Sequence, residues 1–390
     1  MGIFSTKKKE ELVLLFDIGS SSVGGALFYK GANGTPKIIY SVREPILLED
    51  KVDIDRFLIL TLDSLKKVAS HICMKGLGAP RKIFCVLSSP WHASQTRVIH
   101  LEKEEPFIFT GKMADELIAK EIKIFEAEHK AIYQSEDNQV KIIELKNIQT
   151  RLNGYNTLNP FNKKTTDLEL ITFISISEEH ILKKIRDAIA RHFSVEEIVF
   201  STFLMSSFTV ARDIFVNQDN FLLVNIGGEV TDISMIKKEV LRESISFPMG
   251  RNFMIRGIAT LLNCTLDEAR VYISLYKDGH MEDAVLKKFE VAIEKLRVEW
   301  LKGFQTFLSY LSNDVSIPST IFITVDQDLV DFFSDTIKSE QFNQYILTES
   351  KFRVIFLGNQ ALHGVAIIDE NVSRDTFLII ESIYINRFLS

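Results

Sequence analysis

The chain opens on a run of apolar positions that stops abruptly. Leu12–Phe16 is continuously apolar and ends at Asp17 and Gly19, which predicts a buried strand running into a turn. Val23–Tyr29 reads as the strand coming back, and Lys37–Val42 as a third strand. From Ile54 to Met74 the apolar residues Phe57, Leu58, Leu60, Leu62, Leu65, Val68, Ala69 and Ile72 recur at helical spacing. Lys82–Leu87 reads as a further buried strand. Strands followed by a crossover helix predict an α/β layer.

The pattern changes at Ser89. Up to about Leu170 it gives a Lys- and Glu-rich helix around Gly111–Glu128, an extended Val140–Leu152, and the turn dipeptides Asn153-Gly154 and Asn159-Pro160. This stretch reads as a small α+β insertion. A strand is expected at Glu169–Ser175 and a helix at Glu178–His192. Phe221–Asn225, Gly227-Gly228 and Val230–Ile236 then repeat the opening strand–turn–strand, a signal of internal duplication. Helices are expected at Phe253–Leu262, Leu266–Leu275 and from Glu282 to Leu311, followed by a strand at Thr320–Val325, a helix at Leu329–Lys338 and a strand at Arg353–Leu357. The last segment, Asp375–Leu389, is apolar almost all round a helical wheel. That predicts packing onto the protein body or a partner, since an interfacial membrane helix carries a richer basic face.

Composition narrows the class. A chain of 390 residues exceeds one ordinary core, so two or more domains are expected. Lys and Arg number 46 against 52 Asp and Glu, and a net charge of −6 excludes a general nucleic-acid binder. Lys7, Lys8 and Lys9 read as a solvated tail. Cys73, Cys85 and Cys264 have no metal-type spacing and read as reduced thiols of a cytoplasmic protein. No run of about 18 apolar residues predicts a spanning helix. His92 and His100 lack partner spacing and read as surface histidines.

The candidate chemistry lies in the two hairpins. In Asp17-Ile18-Gly19-Ser20-Ser21-Ser22-Val23-Gly24-Gly25, glycine lets backbone N–H groups approach a phosphate closely. The serines add hydroxyl donors, and an acidic group at the strand end can hold a hydrated Mg²⁺. The turn returns as a strand and lacks Gly-Lys-Ser/Thr, so it is not a Walker loop. Asn225-Ile226-Gly227-Gly228-Glu229-Val230-Thr231-Asp232 repeats the design. Two such hairpins can clamp a polyphosphate between two domains.

In order and spacing these motifs resemble the superfamily of actin, the Hsp70 ATPase domain and the sugar kinases, and within it the FtsA cell-division and PilM pilus-assembly families. Asp17–Val23 is similar to the first phosphate loop of those families and Asn225–Asp232 to the second. Thr202–Arg212 is similar to the segment connecting the two domains. Leu152-Asn153-Gly154-Tyr155, with Pro160, Lys163 and Lys164, resembles a signature inside the inserted subdomain, and Phe247-Pro248-Met249-Gly250 the segment after the second loop.

The resemblance implies an actin-like (ribonuclease H-like) α/β fold of two domains. Residues 1–88 and 171–215 would form the first, 89–170 the insertion and 216–390 the second. It implies ATP and Mg²⁺ held by Asp17, Gly19, Ser20, Ser21, Ser22, Gly227, Gly228, Thr231 and Asp232, with Asp17 on the metal. It also implies protein partners in a membrane-associated machine at the inner face of the cell membrane, reached through a partner, with self-association an open option. The departures point the other way on chemistry. Asn225 stands where the family has Asp. Arg270 and Ile273 stand on the expected ribose helix around Glu268, and Asp326-Gln327-Asp328 replaces a Gly-Gly adenine loop. Hydrolysis is therefore expected to be weak or absent. Three readings stay open: an ATP-binding scaffold for pilus, secretion or division assembly, a nucleotide-free adaptor, and a slow ATPase driving filament assembly. A sugar kinase finds no catalytic base or sugar-pocket motif.

Overall fold

The computed structural model describes residues 11–389 except 32–34, 134–138, 195–196, 312–315 and 340–350; the basic tail at Lys7–Lys9 lies outside the described residues. Strand β1 (Leu12–Ile18) turns into β2 (Ser22–Tyr29), which continues into β3 (Lys37–Pro45). Helix α1 (Ile54–Lys75) crosses over, and β4 (Lys82–Leu87) pairs parallel to β1. All of β1 is buried. Leu12, Leu14, Phe16 and Ile18 enter one core cluster and Val13 and Leu15 another, so the strand is covered on both faces and reads as continuously apolar. Helix α1 starts where Asp53 accepts from the Arg56 N–H and stops at Gly76, whose φ of 63° suits a glycine. Its buried stripe, Leu58, Leu62, Leu65, Val68, Ala69 and Ile72, is the one the spacing predicts.

The next segment forms a separate four-stranded sheet. It comprises β5 (Ala93–Ile108), α2 (Gly111–Tyr133), β6 (Val140–Leu152), β7 (Tyr155–Asn156) and β8 (Lys164–Glu178), in the order β5-β8-β6-β7. Strand β8 is longer than the sequence pattern suggests and runs across residue 170. Then α3 (Glu179–Ala190), β9 (Ile198–Thr202) and α4 (Phe203–Ile214) lead to the second half.

That half repeats the first. β10 (Phe221–Ile226), β11 (Thr231–Lys237) and β12 (Val240–Phe247) form the meander; α5 (Arg251–Leu262), α6 (Leu266–Lys277) and α7 (Asp283–Leu311) follow; and β13 (Thr320–Val325), α8 (Val330–Ser339) and β14 (Arg353–Phe356) complete the layer. The sheet order β12-β11-β10-β13-β14 matches β3-β2-β1-β4-β9 strand for strand. The chain then returns to the first sheet. β15 (Ile367–Ile368) pairs with β3, and α9 (Thr376–Phe388) packs on α4, β1 and β2. Residues 378–386 of α9 are all buried, which accounts for a helix apolar on nearly every side. One core cluster joins side chains of both sheets with those of α4 and α9. Among the described residues no helix is long and apolar enough to cross a membrane.

Candidate functional site

The two sequence-predicted hairpin turns close alike. The Gly19 N–H donates to Ser22 O (3.2 Å), and the Gly227 N–H donates to Val230 O (2.9 Å). The turns meet face to face. Ser20 Oγ accepts from the backbone N–H groups of Gly228 (2.9 Å) and Glu229 (3.1 Å). A Cβ on Gly228 would lie 2.4 Å from the carbonyl group of Ser20 and 2.5 Å from Ser21 N, so the two backbones are in contact and only glycine fits. The donors expected to cradle a phosphate are used on a hydroxyl of the opposite loop.

Asp17 is the last residue but one of β1 and is buried. Pairing register places Asp17, Gly24 and Arg43 in one row across β1, β2 and β3. With no side chain on Gly24, the guanidinium of Arg43 passes over it: a Cβ there would sit 2.7 Å from Arg43 Nη2. Arg43 Nη2 donates to Asp17 Oδ2 (2.7 Å) and Nη1 to Ser22 Oγ (2.9 Å). Its Nε donates to Asp375 Oδ2 (2.5 Å) and Nη2 also to Asp375 Oδ1 (3.0 Å), so one guanidinium bridges two carboxylates. Burial raises the pKa of Asp17 against the pull of Arg43. Asp375, despite its burial, is held below the usual range by Arg43 and by the N–H groups of Leu378 and Phe377. Glu381 of α9 adds a third carboxyl; burial, and next the charge of Asp17, push its pKa well up.

Across the second sheet the equivalent row is Thr324, Asn225, Asp232 and Ser246. Asn225 thus occupies in β10 the place of Asp17 in β1. Its Oδ1 accepts from Thr324 Oγ1 (3.0 Å) and its Nδ2 donates to Asp232 Oδ2 (3.4 Å). Asp232 also accepts from Ser89 Oγ (2.8 Å) and Ser246 Oγ (2.5 Å); burial raises its pKa, with those bonds opposing. Thr231 Oγ1 donates to Met249 O (2.6 Å), inside its own domain. Glu229 is clamped by Asn252 (2.7 Å) and by both terminal nitrogens of Arg256 (2.7 and 2.9 Å), while Arg256 Nε reaches Glu49 O (2.8 Å) on the far side of the cleft.

On the expected nucleoside side, Asp326 accepts from Ser21 Oγ (3.3 Å) and pairs with Arg251 (3.4 Å), which also holds Asp328 (2.7 Å). Glu268 is spent on a capping box with Thr265, Arg270 pairs with Asp267 (3.4 Å), and Ile273 is buried. His92 corrects the surface reading in part: it is half-buried, its Nδ1 2.9 Å from Ser94 Oγ, and desolvation lowers its pKa to about 4. His100 is exposed, its Nε2 2.7 Å from Asp167. Cys73, Cys85 and Cys264 are free thiols.

The sequence pointed to the two hairpins whose turns meet here. It missed Arg43, Asp375 and Glu381, which come from β3 and the returning C-terminal helix. In this arrangement the residues do not fit Mg²⁺–ATP. A guanidinium holds the carboxylate that would carry the metal, and a serine hydroxyl holds the N–H groups that would carry phosphate. Among the described residues no cluster of three or more His, Cys, Asp or Glu could hold a metal ion.

No family model matches the chain, and no curated protein does. Solved structures do. EutJ, an ethanolamine utilization protein from Carboxydothermus hydrogenoformans, aligns with 10% identity over 88% of this chain and 83% of its own, at a TM-score of 0.42, too low to argue from. The PilM–PilN type IV pilus biogenesis complex aligns with 12% identity over 97% of each chain at a TM-score of 0.62. With its duplicated sheets and facing hairpins, the chain has the two-domain actin-like fold and resembles PilM in architecture.

Proposed function

We propose that this protein is an actin-fold scaffold that holds partner proteins of a membrane-associated type IV pilus or secretion assembly, and that it does so without ATP. The observation that carries the reading is the cleft itself: Arg43 sits on Asp17 and Ser20 on the N–H groups of Gly228 and Glu229. Both halves of the phosphate clamp are satisfied internally. What remains useful is the surface of a rigid two-domain body. The likeness to PilM, solved together with PilN, supports a partner-binding role. A pocket of about 150 Å³ between β6, β9 and α9, where the insertion meets the first sheet, offers room for an apolar side chain of such a partner. In this reading the protein works at the cytoplasmic face and a partner supplies the membrane span.

The test is affinity purification of the tagged full chain from the cells that make it, with and without apyrase and EDTA. Proteins of a membrane-spanning assembly are expected in equal yield under both conditions. Their absence would remove the scaffold reading, and their loss on nucleotide depletion would remove its ATP independence.

A further inference from the structure

A groove of about 790 Å³ opens between α6, α7 and α8, within the size range of sites that bind ligands. Its floor is apolar, built by Leu286, Phe289, Ile293, Leu329 and Phe332. Its rim is acidic, with Glu290 and Glu294 on α7 and Asp331 and Asp335 on α8. The two rim cations already have partners. Lys277 Nζ donates to Gln327 O (3.2 Å), and Arg297 bonds to both Glu294 oxygens (2.7 Å) and to Ser339 Oγ (3.3 Å). Glu290 and Asp331 make no ion pair among the described residues, and Asp335 has only an exposed contact to Lys338 at 3.5 Å. The rim thus carries five carboxylates, Asp328 included, against Lys277 and Arg297, and the groove is a hydrophobic trough of net negative charge.

We propose that this groove docks a basic amphipathic helix of a partner protein. The charge on the rim selects against anionic ligands and favours Lys or Arg flanking an apolar face. The walls select the conformation. They are helices, and both edges of β13 are already paired, to β10 and β14. An extended peptide would find no strand edge for its backbone there, whereas a helix satisfies its own backbone and needs only an apolar trough. Glu290 and Asp331 stand on opposite banks, placed to meet cations on either side of the inserted face. The groove borders the expected nucleoside side of the cleft, since Ile273 and Asp328 also line it, but most of its apolar floor and of its acidic banks lies on α7 and α8, away from the facing hairpins.

Photo-crosslinking tests this on the full chain in the cells that make it. Tyr276 lines the groove with its ring 4.9 Å from that of Phe289, and Tyr276→p-benzoylphenylalanine puts the reactive group there. The expected result is one dominant adduct whose peptide, sequenced by mass spectrometry, has apolar residues at three- and four-residue spacing flanked by Lys or Arg. The double change Glu290→Lys and Asp331→Lys is expected to reduce that adduct at least tenfold, and Glu290→Gln with Asp331→Asn to reduce it less. Unchanged melting curves would show that both variants fold. No dominant adduct, an adduct with an acidic or non-helical segment, or yield indifferent to charge reversal would overturn the proposal.

Discussion

Arg43 lies on Asp17, 2.7 Å from nitrogen to oxygen, because Gly24 stands between them in the strand row and has no side chain to keep them apart. The same guanidinium ties Asp375, so the carboxylate at the tip of the first hairpin anchors the C-terminal helix as well. Gly24→Ala would place a methyl group 2.7 Å from Arg43 Nη2 and 3.2 Å from Leu378 Cδ2. We expect a loss of about 1–3 kcal/mol, the usual cost of overpacking. Chemical denaturation reads it directly, and an unchanged midpoint would contradict the threading of Arg43 over Gly24.

Ser20→Ala keeps the Cβ and removes only the oxygen that accepts from Gly228 and Glu229. Two buried donors then lose their acceptor, at about 1–3 kcal/mol each if nothing replaces it. Amide hydrogen exchange at residues 228 and 229 should speed up, with a lower denaturation midpoint.

Glu381 gives a pH dependence of defined sign. Its folded pKa lies well above the ordinary carboxylate value, through burial and the charge of Asp17. The unfolded chain releases this proton near about pH 4.3, while the folded chain keeps it to higher pH. Stability therefore falls as pH rises above that point towards the folded pKa, by about 1.4 kcal/mol per pH unit for one proton. Glu381→Gln preserves the shape and abolishes the titration. Above about pH 5, and until the folded group ionises, its stability curve is expected to be flatter than that of the wild type by that slope; parallel curves would place Glu381 in its ionised form.

Asn225→Asp would supply the carboxylate that the family pattern expects in the second loop. Here it would set a second carboxylate against Asp232, which now accepts from Asn225 Nδ2. The expected outcome is a loss of about 1–3 kcal/mol and no gain in phosphate release from ATP. Turnover in that variant would show that the cleft opens to nucleotide.

Much of this was legible in the sequence, for physical reasons. β1 and β10 are buried on both faces, so they stand out as unbroken apolar runs stopped by turn glycines, and their recurrence exposed the duplicated sheets. Helix α1 declared itself by its stripe, and α9 by having no polar face to give water. Strand β5 did not, because Glu102-Lys103-Glu104-Glu105 interrupts it and most of its length is exposed. Arg43 was invisible for a different reason. One arginine in a half-exposed strand carries no local mark, and its partners lie 26 and 332 residues away. The single hint was Gly24-Gly25, since glycine inside a strand often marks close approach by another group. The return of Ile367–Ile368 and α9 to the first sheet is likewise non-local, and with it went Asp375 and Glu381.

The central claim is that the protein's own side chains occupy the nucleotide cleft. Isothermal titration of the purified full chain with millimolar ATP and Mg²⁺ tests it most directly. The account predicts no saturable heat and no shift in melting temperature. Saturable, Mg²⁺-dependent binding, with Arg43 displaced from Asp17 in a nucleotide-soaked crystal, would contradict it.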